Sequence, residues 1–215
     1  MLAVAILAIT YETKASTGIM LPILIGADVV AVWYYHRHAQ WGYLIRLVPW
    51  MALGVLVGVW SGKDLPNEVF KQGMAMVILV SVVFMFWWDR SKKTVPRSKI
   101  FAPFMGLAAG FATMVGNLAG AFSNIYFLAM RLPKEQFIGT AAWLFFMINL
   151  FKLPFHIWVW ETINRDSLLI SLQIYPAVLV GFFVGVRLVK YIRDQNYRQM
   201  ILLLTALGAV IIFLR

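Results

Sequence analysis

Long runs of apolar residues, separated by short polar stretches, fill the whole sequence. A helix needs about 20 apolar residues to cross the hydrocarbon core of a bilayer. Runs that approach this length cover residues 16–35, 43–60, 72–88, 138–160, 170–187 and 198–214. The pattern therefore predicts an all-α, polytopic integral membrane protein with about six full spans.

Residues 101–131 form a further apolar segment that does not fit this scheme. It is too long for one span and too short for two. Glycine and asparagine interrupt it, at Gly106, Gly110, Gly116, Asn117 and Gly120. We expect either a re-entrant hairpin or a pair of short helices here.

The charged residues indicate how the spans are oriented. Only 13% of the residues are charged and 62% are hydrophobic, which excludes a soluble globular fold. The net charge of +10 does not indicate a nucleic-acid partner, because Lys and Arg between apolar runs are typical of cytoplasmic loops beside a lipid bilayer. Loops 89–99 and 187–198 are therefore predicted to be cytoplasmic and the C-terminus to lie outside. Because two spans separate these loops, the glycine-broken segment must cross an even number of times.

Missing residue types disfavour other classes of function. The sequence contains no cysteine, which excludes a disulfide framework and a thiolate metal site. It also lacks the common signatures of zinc proteases, serine hydrolases and nucleotide-binding enzymes. We therefore expect no enzymatic activity, no metal and no cofactor.

Comparison of the sequence with itself indicates an internal repeat. The pattern Pro-x4-Gly-x3-Gly begins at Pro49 and again at Pro176, 127 residues later. The same offset places residues 70–72 on residues 197–199. A shared register over this distance is less common by chance than a single short match.

The two repeats are predicted to have opposite orientations in the membrane. The charges place loop 61–71 outside, whereas its mate 188–198 is inside. Inverted repeats are typical of secondary transporters, whose sites lie near the midplane between the halves. The predicted organisation is a first repeat 1–88, a basic linker 89–100 and a second repeat 101–215.

The repeat also predicts a difference between the halves. Residues 1–9 align with residues 124–132, so the first repeat lacks a counterpart of residues 101–123. We expect the natural protein, or its close relatives, to begin earlier.

Ionisable residues deep within predicted spans are the first candidates for function, because they are costly in a membrane unless paired or hydrated. They are Asp28, Lys152 and His156. Asn149, Lys152 and His156 share one helix face, and Pro154 frees a backbone carbonyl beside them. This face can present a cation and donors to an anion. The alternatives are a Lys152–Asp28 pair that only joins the halves, and a hydrated His156 near the outer interface.

The stretch 116–124 is a second candidate, because glycine and polar residues interrupt an apolar region there. Irregular backbone within a membrane is typical of a cavity lining. A helix that starts there would direct its N-terminal amides at a bound anion. The alternative is close helix packing, which we favour for three other pairs, Gly54/Gly58, Gly106/Gly110 and Gly181/Gly185.

These residues together resemble the sulfite exporter TauE/SafE family. The most specific part is Asn149-x2-Lys152 followed by Pro154. The family has proline after the second glycine of its motif, where this chain has Ala121. The resemblance covers nearly the whole chain, through stretches 22–28, 49–58, 116–120, 126–134, 137–140 and 149–154.

The resemblance implies a permease of the bacterial inner membrane that moves sulfite, sulfoacetate or other organosulfur or organic anions. The residues and the resemblance together predict a set of anion-binding residues. It comprises Lys152, Asn149, Asn117, Gly116, Gly120, Asn124, Thr140 and Asp28.

Export is the main hypothesis, because an inside-negative potential drives an anion outward by about 2.3 kcal/mol per charge per 100 mV. One alternative is a proton- or cation-coupled importer in which Asp28 titrates. Another is a membrane subunit that does not transport. A homo-oligomer is compatible with all three.

Overall fold

The computed structural model describes residues 13–66, 68–70, 72–73, 76–77, 79–80, 83, 100–193, 196–197, 199–201 and 203. The helices are α1 (Thr13–Tyr35), α2 (Trp41–Gly62), α3 (Phe101–Gly116), α4 (Ala119–Ala129), α5 (Lys134–Trp158) and α6 (Arg165–Tyr191). A 3-10 turn, His36–His38, joins α1 to α2. The described residues contain no strand, which confirms the all-α prediction.

Helices α1, α2, α5 and α6 are long and apolar enough to cross a membrane. They have 22 to 27 residues each, which corresponds to about 33–40 Å at 1.5 Å per residue. Most of their ends lie a few residues beyond the ends of the spans predicted from hydropathy, because polar terminal turns are also helical. They coincide with the predicted spans 16–35, 43–60, 138–160 and 170–187.

The glycine-broken segment is a helical hairpin rather than one continuous helix. Helix α3 ends at Gly116 and α4 begins at Ala119. Between them the backbone reverses at Asn117, whose φ of 54° lies in the left-handed region that asparagine tolerates. The ring of Tyr126, late in α4, stacks on that of Phe101, at the start of α3, with 5.8 Å between centroids. The start of α3 and the end of α4 therefore lie at the same end of the bundle.

Helices α2 and α3 pack closely through glycines. A Cβ atom placed on Gly110 would lie 2.0 Å from the carbonyl oxygen of Met51, and one on Gly54 would lie 2.3 Å from that of Leu107. Residues later in α2 contact residues later in α3, so the two helices run parallel. The packing interpretation is confirmed for the pairs Gly54/Gly58 and Gly106/Gly110.

Helix α6 is different, because its glycine pair has no such neighbour in the described part of the chain. A Cβ atom on Gly181 or Gly185 would meet nothing within 4 Å. Helix α6 contacts α1 along a different face, from Ser171, whose hydroxyl donates to the carbonyl oxygen of Ile19 (2.7 Å), to Phe182, whose ring meets that of Tyr34 (6.3 Å between centroids). The packing interpretation therefore stays a prediction for this pair. The outward side chains of α6 are exposed, among them Val180, Phe183 and Val184.

The two ends of the bundle are defined by contacts between helices. At the basal end, the Gln40 amide donates to the Thr140 hydroxyl (2.9 Å). At the apical end, the Lys14 ammonium donates to the carbonyl oxygen of Lys63 (2.7 Å). Because α3 runs parallel to α2, the turn between α3 and α4 points toward the apical end.

Other predictions lie outside the described residues. They concern residues 1–9, nearly all of the basic linker 89–100, and most of the predicted spans 72–88 and 198–214. The inverted repeat stays a prediction.

Candidate functional site

The polar face of α5 is buried against α1 and the α3–α4 turn. It carries Asn149, Lys152 and His156, spaced so that they lie on one side of the helix. Lys152 and His156 have 0% of their surface exposed, and Asn149 has 4%. Side chains of this kind are rare in apolar surroundings unless their polar groups are satisfied.

The Lys152 ammonium is held by the last turn of α3. Its Nζ donates to Oδ1 of Asn117 (2.6 Å), to the carbonyl oxygen of Thr113 (3.0 Å) and to Oγ1 of Thr113 (3.1 Å). An ammonium has three N–H groups, so each of them has an acceptor. The free carbonyls of a helix C-terminus carry partial negative charge, which further stabilises a cation there.

Asn117 connects three helices at this point. Its own amide donates to the Thr113 carbonyl (3.0 Å), which closes the end of α3. Its side-chain Nδ2 donates to the carbonyl oxygen of Thr17 on α1 (3.2 Å), while Oδ1 accepts from Lys152 on α5. The residue thus needs both a left-handed backbone and an amide side chain.

Asp28 enters the cluster through Asn149. The Nδ2 of Asn149 donates to Oδ2 of Asp28 with a distance of 2.7 Å, and the Asp28 side chain is 9% exposed. Among the described residues the only ion pair joins His38 to Glu135. Asp28 and Lys152 therefore do not form the direct pair that was the alternative interpretation, although both belong to one buried cluster.

His156 is buried rather than hydrated near an interface, which corrects the sequence-based expectation. The chain reverses after α5, with Glu161 at φ 52°. This reversal brings Oγ1 of Thr162 to 2.7 Å from Nδ1 of His156. The Trp160 ring covers the imidazole edge, with 5.3 Å between centroids. Within the described residues, the second ring nitrogen, Nε2, has no hydrogen-bond partner.

The start of α4 follows directly after Asn117, within the glycine-rich stretch 116–124. Gly116 ends α3, Gly120 lies in the first turn of α4, and Asn124 lies one turn further on. The residue before the helix, Leu118, provides no side-chain cap. The nearest atom to a Cβ placed on Gly120 would be Nδ2 of Asn124 at 3.5 Å, so this turn is loosely packed among the described residues.

Thr140 does not join the cluster, which corrects its place in the predicted binding set. It lies twelve residues before Lys152 on α5, or about 18 Å along the helix axis. Its hydroxyl accepts from the Gln40 amide and donates to the Gln136 carbonyl oxygen. Thr140 therefore closes the basal turn between α1 and α2.

Sequence reasoning missed two threonines. Thr113 supplies two of the three acceptors of Lys152, and its position four residues before Asn117 could have placed it on the same helix face. Thr162 binds His156 only because the chain folds back after α5. No spacing rule predicts that contact.

A family model described as Sulfite exporter TauE/SafE matches residues 1–212 of the chain. The chain belongs to the sulfite exporter TauE/SafE family. No curated protein and no solved structure matches it. Together with the four helices long enough to span a membrane, membership of TauE/SafE makes this chain a multi-pass membrane transporter.

The polar cluster of this TauE/SafE transporter is enclosed. Neither Lys152 nor His156 has exposed surface, although each lies on a helix that can cross a membrane. The described residues contain no group of three or more His, Asp or Glu placed to hold a metal ion. The cluster thus combines the ammonium of Lys152, the amides of Asn117 and Asn149, and the carboxyl group of Asp28.

Proposed function

We propose that this TauE/SafE protein exports sulfite or a related small sulfur oxyanion, and that the anion passes through the cluster around Lys152. The observation that carries the proposal is the fully buried Lys152 ammonium, held at the α3–α4 turn. Asn149, Asn117, Asp28 and the first turn of α4 complete the site.

The partners of Lys152 support an anion site over a purely structural one. A buried ammonium that only joins helices is best compensated by a carboxylate in direct contact. Here its three acceptors are neutral oxygens. The positive charge is therefore available to attract an anion in surroundings of low dielectric constant.

Binding requires that one acceptor be exchanged for an oxygen of the anion. The Thr113 carbonyl is fixed by the α3 backbone, whereas the Asn117 side chain can rotate without unwinding a helix. Asn117 is therefore the partner that the anion replaces. Its movement would also release Thr17 on α1, to which the Asn117 amide is bonded.

The membrane potential supplies the driving force in this proposal. We place the basal end in the cytoplasm, because basic residues collect on the cytoplasmic side of membrane proteins. An inside-negative potential then favours export by about 2.3 kcal/mol per charge per 100 mV. The basic residues near the basal end include Arg37, Arg46, Arg131, Arg187 and Lys190.

The test is sulfite efflux from proteoliposomes at a clamped potential of either sign. We expect efflux to follow the potential and to fall to the protein-free level in Lys152→Met, which keeps the length of the side chain without its charge. Lys63→Met removes an exposed lysine and should retain wild-type efflux. Circular dichroism and gel filtration check that both variants fold.

Retained efflux in folded Lys152→Met would contradict the assigned site. If the wild-type protein shows no sulfite efflux, co-purification with a partner protein would favour a subunit that does not transport. Lys152→Arg adds a second comparison, since it restores the charge with a different shape.

A coupled importer is the second candidate, and the buried Asp28 favours it. Its carboxyl group lies on α1 and is bonded to Asn149, one helical turn from Lys152. A carboxyl group there can take up and release a proton. Uptake that rises with an inward proton gradient, and that is lost in Asp28→Asn, would identify import.

A further inference from the structure

One polar atom of the cluster has no role in the proposed site so far. The Nε2 atom of His156 lacks a hydrogen-bond partner among the described residues, although the side chain is 0% exposed. A buried polar atom without a partner costs free energy, so such atoms in native proteins commonly mark a bound water, ion or substrate.

The position of the ring proton depends on the role of the Thr162 hydroxyl. Its Oγ1 lies 2.7 Å from Nδ1 of His156 and 3.5 Å from the His156 carbonyl oxygen. In one arrangement the hydroxyl donates to Nδ1 and the ring proton is on Nε2. In the other, Nδ1–H donates to the hydroxyl, which donates to the carbonyl oxygen. In the first arrangement the unpartnered Nε2 is a donor.

The surroundings of the ring favour this neutral form. Lys152 lies one helical turn away on the same face, and a second cation beside its ammonium would be repelled. Trp160 and Thr162, which contact the imidazole, carry no charge. With its proton on Nε2, His156 is a neutral donor next to a buried cation.

Lys152 and His156 contribute to anion binding in different ways. When the anion replaces Asn117, two of the three N–H groups of Lys152 stay directed at Thr113. We propose that His156 donates from Nε2 to an oxygen of the transported anion and is a specificity-determining residue of the site. Lys152 supplies the charge, and His156 selects an anion with an accessible acceptor oxygen, such as sulfite. The inference rests on the proposed function, because it concerns the same site.

Packing alone is the competing role for His156. Its ring meets Trp160 at an interplanar angle of 68°, in an edge-to-face contact that an aromatic side chain without a donor could also make. The test must therefore distinguish the contribution of the aromatic ring from that of the N–H donor.

Two variants make that separation. His156→Phe keeps an aromatic ring against Trp160 but has no donor, whereas His156→Gln keeps an amide N–H near the position of Nε2. The measurements are the KM and maximal rate of sulfite efflux in proteoliposomes, and the rise in melting temperature that sulfite causes in detergent. We expect His156→Phe to raise KM by about tenfold or more, as for loss of a hydrogen bond to a charged group. His156→Gln should stay close to wild type.

An unchanged KM in folded His156→Phe would overturn the inference, and so would an equal rise in both variants. If His156→Phe does not fold, His156→Leu replaces it in the same comparison. Loss of efflux in Lys152→Met with an unchanged KM in His156→Phe would leave the proposed function intact and reject only the role of His156.

If the wild-type protein does not transport sulfite, the melting temperatures decide. Stabilisation by sulfite that is lost in His156→Phe would support the inference, and no stabilisation would reject it.

Discussion

Helices α2 and α6 share one sequence pattern but have different surroundings. In α2, the glycines after Pro49 face α3 so closely that an added methyl group would overlap atoms of that helix. In α6, the equivalent glycines after Pro176 face no described atom within 4 Å. The same small residues therefore act as a packing surface in one helix and have no described contact in the other.

The close contact of α2 depends on its partner helix as well as on its own glycines. Helices in a membrane associate through close packing and hydrogen bonds, because lipid is as apolar as their side chains. Helix α2 has a partner with its own glycines, Gly106 and Gly110, so the two backbones approach each other. A partner surface of matching shape has been described for α2 and not for α6.

The strongest test of this comparison is Gly110→Leu. The new side chain would begin 2.0 Å from the Met51 carbonyl oxygen, so α2 and α3 would have to separate. We expect a loss of about 3 kcal/mol or more in the free energy of unfolding. The measurement is the yield of monodisperse protein and its thermal melting in detergent. A variant as stable as wild type would show that the α2–α3 contact is not needed for folding.

A smaller effect is expected at Asn117, where α3 ends. Asn117→Ala places a residue that disfavours the left-handed region at φ 54° and removes the side-chain hydrogen bonds to Lys152 and Thr17, for a total of about 2 kcal/mol or more. Asn117→Gly loses the same two hydrogen bonds but keeps the backbone freedom. The difference between the unfolding free energies of the two variants therefore measures the cost of the left-handed backbone conformation. Equal losses would mean that the backbone conformation contributes little.

The start of α6 provides the next test. The Asn164 side chain accepts from the Ser167 amide (2.9 Å), and the Ser167 hydroxyl accepts from the Asn164 amide (2.8 Å). Asn164→Ala should lower the unfolding free energy by about 1 kcal/mol, as for other helix caps. Asn164→Asp retains a capping oxygen and serves as the control, measured by the same thermal melts.

The smallest effect is expected on the outer face of α6. Gly185→Leu adds a side chain where no described atom lies within 4 Å, so stability should change by no more than about 0.5 kcal/mol. A large loss of folded protein would instead show that another segment or another molecule covers this face. That result would remove the contrast between α2 and α6.

Most of the helical framework could be predicted from the sequence. Four predicted spans coincide with α1, α2, α5 and α6, because a membrane requires long apolar helices and hydropathy reports them directly. The break near Gly116 was also predictable, since glycine and asparagine favour a reversal of the chain. The helix ends were less accurate, because polar terminal turns extend beyond the apolar stretch.

The candidate site was predictable only in part. The spacing of Asn149, Lys152 and His156 placed them on one face of α5, where the structure has them. Their partners depend on how separate helices meet. The Thr113 acceptors and the enclosure of His156 by Trp160 and Thr162 are tertiary contacts, which periodicity along one helix does not contain.

The Asn117 side chain has a consequence for the speed of transport. One amide group holds the hairpin to α1 through Thr17 and to α5 through Lys152. Any motion of the hairpin relative to both helices has to break these two hydrogen bonds, each worth about 1 kcal/mol or more. Each kilocalorie added to a barrier slows the step by about fivefold at room temperature. If the hairpin moves in the proposed transport cycle, the turnover number, and not only the affinity for the anion, depends on a single uncharged side chain at its tip.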